Sequence, residues 1–93
     1  MCKSKEKSLI DWTDDIILLN DKYFEKGLKK GFIGVVVENF IQSKGVVLAD
    51  FFNPITGEDI AVLVEIGKDD FRPFVGTEED QRIGKAFKQL FIK

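Results

Sequence analysis

The chain has 93 residues, 44% apolar and 32% charged, with a net charge of -2. That is the length of one domain with one modest core. The single cysteine, Cys2, rules out an internal disulfide, no apolar run approaches a membrane span, and the absence of histidine removes the commonest general base and metal ligand.

Residues 1–8 are polar, without a period, and are expected to be a flexible N-terminus ahead of one domain over residues 9–93. The positive start lacks an apolar stretch behind it, so no signal peptide is expected. With no disulfide either, a cytoplasmic location is expected. Leu9, Ile10 and Trp12 are expected to form a turn that packs Trp12 on the body of the domain. Ile16 to Leu19 reads as a buried strand, closed by the turn chemistry of Asn20-Asp21-Lys22.

Residues 23–31 read as a loop bent at Gly27 and Gly31. Phe32 to Ile41 is the strongest strand signal, and Gly34 inside it implies a bend, a bulge or close packing. Gln42 to Gly45 reads as a hairpin turn. In the strand Val46 to Phe52, Val47, Ala49 and Phe51 form a wholly apolar face, the expected core side. Asn53 to Glu58 is a second hairpin loop. In the strand Ile60 to Ile66, Ile60, Val62, Val64 and Ile66 alternate with Ala61, Leu63 and Glu65. Phe71 to Phe74 is a short last strand, which Pro73 confines to an edge.

The period then changes. Thr77 is an N-cap followed by the acidic turn Glu78-Glu79-Asp80, and the spacing predicts a helix over 77–92. Its stripe, Ile83, Ala86, Phe87, Leu90 and Phe91, is expected in the core, closing one end of a barrel, with a docking face as the alternative. The expected fold is mainly β: a small antiparallel barrel of about five strands with a C-terminal α-helix, which the resemblance described next makes SH3-like.

The segment Gly27-Leu28-Lys29-Lys30-Gly31-Phe32-Ile33-Gly34-Val35-Val36-Val37-Glu38 resembles the opening of a family of short SH3-like barrels of unassigned function, and is distantly similar to KOW-type barrels. Asp50-Phe51-Phe52 and Gly57-Glu58 occupy the places of that family's acidic-aromatic strand end and its Gly-Glu hairpin. The likeness spans about residues 15–66 and implies the fold. It brings no catalytic residue. The Asn53–Thr56 loop is longer than in that pattern, and the helix lies outside it.

No enzyme activity, metal or cofactor is expected. Cys2 has no base beside it, and the pairs Asp14-Asp15, Glu58-Asp59 and Asp69-Asp70 fit solvated surface better than acid–base or cation sites. The three glycines lack the spacing of nucleotide-binding loops. Charge is distributed unevenly, however. Residues 45–70 hold six acids (Asp50, Glu58, Asp59, Glu65, Asp69 and Asp70) against the single base Lys68. That excess points to a protein-binding module, of the toxin-neutralising (immunity) or inhibitor type, that meets a basic toxin or enzyme through an acidic surface. The alternative is an RNA- or ribosome-associated barrel binding through Lys29, Lys30 and Lys44, with Tyr23, Phe24 and Phe32 as stacking aromatics.

Overall fold

The computed structural model describes Ile10 and residues 12–92, so the expected flexible segment 1–8 lies outside the described residues. Five antiparallel strands form one sheet: β1 (Asp15–Leu18), β2 (Ile33–Phe40), β3 (Val46–Phe52), β4 (Asp59–Gly67) and β5 (Phe71–Pro73). Their order is β4-β3-β2-β1-β5, so β1 and β2 join a β5-β1-β2 half to a β2-β3-β4 half. The fold is small, mainly β and barrel-like, with a helix, α2 (Glu78–Gln89), after the last strand.

The interior follows the period-2 pattern of the strands. Ile16 and Leu18 of β1, Val36 of β2, Val47, Ala49 and Phe51 of β3, and Val64 and Ile66 of β4 point inward and are buried. Trp12 closes one side, its indole N–H donating to the Asp15 carbonyl at 2.9 Å. Gly34 is needed because the Phe51 ring lies across it: a Cβ there would stand 2.6–2.8 Å from three ring carbons. Close packing is therefore the reason for that glycine.

Bending comes from bulges further along. Val36 pairs with Ala49 but Glu38 with Leu48, leaving Val37 as an extra residue in β2. In β4, Val64 pairs with Ala49 and Ala61 with Phe51, so Val62 and Leu63 together oppose Asp50. A further shift follows between Phe51 and Phe52. Such insertions sharpen the twist that lets a short sheet curl.

The β2–β3 connection is not a tight hairpin turn. Ile41–Lys44 form one helical turn, α1, which starts where the Asn39 side chain accepts from the Ile41 N–H at 2.9 Å. Asn53 organises the β3–β4 loop similarly, its Oδ1 accepting from the N–H groups of Ile55 and Thr56. The long β1–β2 loop carries a 3₁₀ turn at Phe24–Lys26, and its bends at Gly27 and Gly31 have φ of +82° and +89°, where a side chain would be strained.

Helix α2 is capped by Thr77, whose hydroxyl accepts from the Asp80 N–H at 3.1 Å. It lies along the outer side of the β5-β1-β2 half. Ile17, Ile33 and Arg72 sit opposite one another on that side, and the backbone at Gly84 passes close to Ile33 and Phe74. Phe87 is buried and stacks on Phe32 at 4.9 Å and edge-on to Phe91 at 5.5 Å, which ties the helix to the core cluster. The stripe splits, however. Ala86 is exposed and Leu90 is 66% exposed, because the stripe is wider than the surface it covers.

An ion pair between the half-buried Arg72 and the buried Asp80 locks the helix to β5. Asp80 is fully buried, and Arg72 Nη1 lies 2.6 Å from its Oδ1. Its Oδ2 accepts from the N–H groups of Val75 and Gly76 at 2.8 and 3.1 Å. Burial alone would push this carboxyl up, but the Val75 N–H and the Arg72 guanidinium, with help from the Thr77 backbone, outweigh it and hold the carboxyl below its ordinary range.

Candidate functional site

The six acids of residues 45–70 do not share one surface. Glu58 and Asp59 are exposed at the start of β4, while Asp69 and Asp70 follow its end, roughly 20 Å away along the strand. Asp69 is exposed and loosely paired with Lys68 at 3.8 Å. Asp70 is buried and works inside the molecule. It accepts from Asn20 Nδ2 at 3.0 Å and the Tyr23 hydroxyl at 2.8 Å, and pairs with Lys22 at 3.3 Å. The Asn20 hydrogen bond leads in holding its carboxyl below the ordinary value; burial opposes, and Tyr23 and Lys22 reinforce. Tyr23 in turn accepts from the Gly67 N–H at 2.9 Å, so the network pins the β1–β2 loop to the β4–β5 turn. Burial and the Asp70 carboxylate push the Tyr23 phenol up, against the pull of Gly67.

Asp50 and Glu65 stand on the outer side of the sheet, and the register adds residues that sequence reasoning missed. Leu48 is flanked on the two neighbouring strands by Glu38 and Glu65, both exposed. Two strand spacings put those carboxylate-bearing backbones about 10 Å apart. In the next row Asp50 is flanked by Val35 and by the Val62–Leu63 bulge. Val35, Val37, Val62 and Leu63 are 41%, 45%, 50% and 57% exposed. Helix α2 covers the other half of the sheet and does not reach this face. β2, β3 and β4 together carry Glu38, Asp50, Asp59 and Glu65 and not one lysine or arginine. The result is a surface on which exposed aliphatic side chains and carboxylates are interspersed, with Asp50 at its middle.

The bulge is itself unusual. Leu63 has φ of +51°, the one positive value at a non-glycine residue among those described. Asp50 holds it there by accepting from the Leu63 N–H at 2.7 Å. The alternation that places Val62 with Val64 and Ile66 therefore fails: the extra residue shifts the phase and turns Val62 outward.

No family model, curated protein or solved structure matches this chain.

Lys29, Lys30 and Lys44 are all exposed but sit on different elements. The first two precede β2, where Asp21 accepts from the Lys30 N–H at 2.7 Å, and Lys44 ends α1 with its ammonium 5.3 Å from the Phe40 ring centre. Of the aromatics near them, Phe32 is in the core, Tyr23 belongs to the Asp70 network, and Phe24 is 68% exposed. Two grooves flank α2. One of about 420 Å³ runs between Ile17, Leu19, Phe32, Ile83 and Leu90, and one of about 400 Å³ lies beside Ile33, Phe74 and Lys88. Among the described residues no cluster of three or more acidic or cysteine side chains could hold a metal ion, and no helix is long and apolar enough to cross a membrane.

Proposed function

We propose that this domain is a protein-binding module, of the inhibitor or toxin-neutralising type, that holds a basic protein on the outer face of β2, β3 and β4. The observation that carries this reading is the charge of that face: the carboxylates Glu38, Asp50 and Glu65, no base on its three strands, and exposed aliphatic side chains among them. A binding surface needs an apolar centre to exclude water and a charged rim to steer its partner. The carboxylates draw in a basic surface, and the aliphatic residues supply the burial that keeps it. Covering a basic active site in this way would block a nuclease-like or other cation-lined enzyme.

The test is charge reversal. A basic partner is captured from the native host, and its binding is measured at two salt concentrations. Glu38→Lys/Glu65→Lys is expected to slow association by tenfold or more at low salt, with the difference shrinking as salt rises. Glu58→Lys/Asp59→Lys, at the far end of β4, should weaken binding much less. Equal affinity for Glu38→Lys/Glu65→Lys and the parent at both salts refutes the reading.

A second reading rests on Phe24, whose exposed ring lies in the same loop as Lys26, Lys29 and Lys30. That combination stacks and neutralises single-stranded RNA. It predicts a steep salt dependence for RNA binding and its loss in Phe24→Ala.

A further inference from the structure

We infer that Leu63 is the anchor residue of this face, an apolar knob held out by a strained bulge to enter a pocket on a basic protein. The inference rests on the protein-binding reading above and names the residue and the partner chemistry that carry it.

Three observations converge on Leu63. Its backbone sits at φ of +51°, a conformation that disfavours a residue with a branched side chain and favours glycine or asparagine. Its side chain is 57% exposed, so it contributes little packing inside the domain to set against that strain. Its N–H is tied to the Asp50 carboxylate, so the conformation is imposed and held. Strain maintained at an exposed position marks a feature kept for something other than stability. Bulges commonly re-aim a side chain, and this one turns both Val62 and Leu63 outward, across Asp50 from Val35.

Charge selects the occupant. A second copy would bring Glu38, Asp50 and Glu65 against the same acids across a two-fold axis, with no base on these strands to offset them. Nucleic acid and anionic membrane are repelled for the same reason. Strand addition at the edge of β4 is blocked by the bulges, which interrupt its ladder. What remains is a basic protein surface with an apolar recess: Leu63 fills the recess, and the carboxylates meet lysine or arginine around it.

The test uses the whole chain as bait for a displayed library of random linear peptides. Enriched peptides are expected to be rich in lysine and arginine and to carry a bulky apolar residue. Leu63→Ala should weaken them by at least about tenfold, through faster dissociation and with little change in salt dependence. Glu38→Lys/Glu65→Lys should weaken them in a salt-dependent manner. Leu63→Gly supplies the second readout: it should bind as poorly as Leu63→Ala yet melt at a higher temperature than the parent. Basic peptides that lose affinity with the charge reversal but not with Leu63→Ala overturn the anchor and leave the acidic-face reading standing. Peptides without a cationic excess, or no enrichment at all, overturn both. A Leu63→Gly protein that melts lower than the parent shows that the leucine serves the fold and overturns the inference.

Discussion

Gly34→Ala is the sharpest test of how this barrel is packed. The added methyl would stand 2.6–2.8 Å from the Cε2, Cζ and Cδ2 atoms of Phe51, whereas carbon atoms in van der Waals contact sit at about 3.5–4.0 Å. One partner must retreat by about 1 Å. Phe51 has nowhere to go, since it is fully buried between its neighbours on β2 and β4 in a close-packed core. Overpacking of this kind costs about 1–3 kcal/mol, against a gain of about 0.4–1 kcal/mol from stiffening the unfolded chain. The net loss expected is about 1–2 kcal/mol, or roughly 5–15 °C in Tm for a domain of this size. Gly34→Val should exceed that and cut the yield of folded protein. Urea unfolding followed through Trp12, the sole tryptophan and a buried one, gives the measurement. The cause is isolated by a cycle with Phe51→Leu, which removes the outer edge of the ring. The double variant should be more stable than the sum of the single losses by about 1 kcal/mol. A Gly34→Ala protein within about 0.5 kcal/mol of the parent, or a strictly additive cycle, refutes the argument.

Phe87→Ala should cost about 3 kcal/mol or more by urea unfolding, because it removes the ring that joins α2 to Phe32, whereas Leu90→Ala, at an exposed position, should change stability by less than about 0.5 kcal/mol. Asp80→Ala leaves the N–H groups of Val75 and Gly76 and the half-buried Arg72 without their acceptor and should cost about 1–3 kcal/mol, with α2 losing its hydrogen-exchange protection first. Asp70 and Asp80 both have folded-state carboxyls held below the ordinary value near 3.8. The unfolded chain therefore takes up their protons first as pH falls, so their contribution is complete above that value and is lost below it. Tm should thus drop steeply below about pH 4, and Asp70→Asn should start lower but fall less steeply over the same range. Tyr23→Phe removes a donor to Asp70 and an acceptor for Gly67, and should loosen the β1–β2 loop at a cost of about 1–2 kcal/mol, read by hydrogen exchange at Gly67.

Much of the fold was legible because local patterns carry it. The alternation of Val47, Ala49 and Phe51 states which side of β3 is inside, and all three are fully buried. Thr77 and the 3.6-residue spacing after it place α2, which ends three residues short of the expected 92. Pro73 confined β5 to an edge, where it pairs with β1 alone. In each case the determining interactions lie within a few residues or follow from the period of one element.

What tertiary structure decided lies between elements. A bulge is one extra residue measured against a partner strand, so no run of β4 read alone reveals that Val62 leaves the Val64–Ile66 face. Glu38 joins Glu65 across Leu48 only once three strands are in register. Asp70 stands beside Asp69 in sequence and looks equally solvated, but Asn20, Lys22 and Tyr23, some fifty residues earlier, enclose it. Asp80 left a local trace: it sits three residues after Thr77, where an acid commonly completes a helix cap, and only the approach of Arg72 from β5 makes it half of an ion pair. The acidic composition of the middle of the chain belongs to the sequence. Which of those acids lie on an open face, and which brace the barrel, is settled by long-range pairing, because burial is a property of neighbours brought together by the fold.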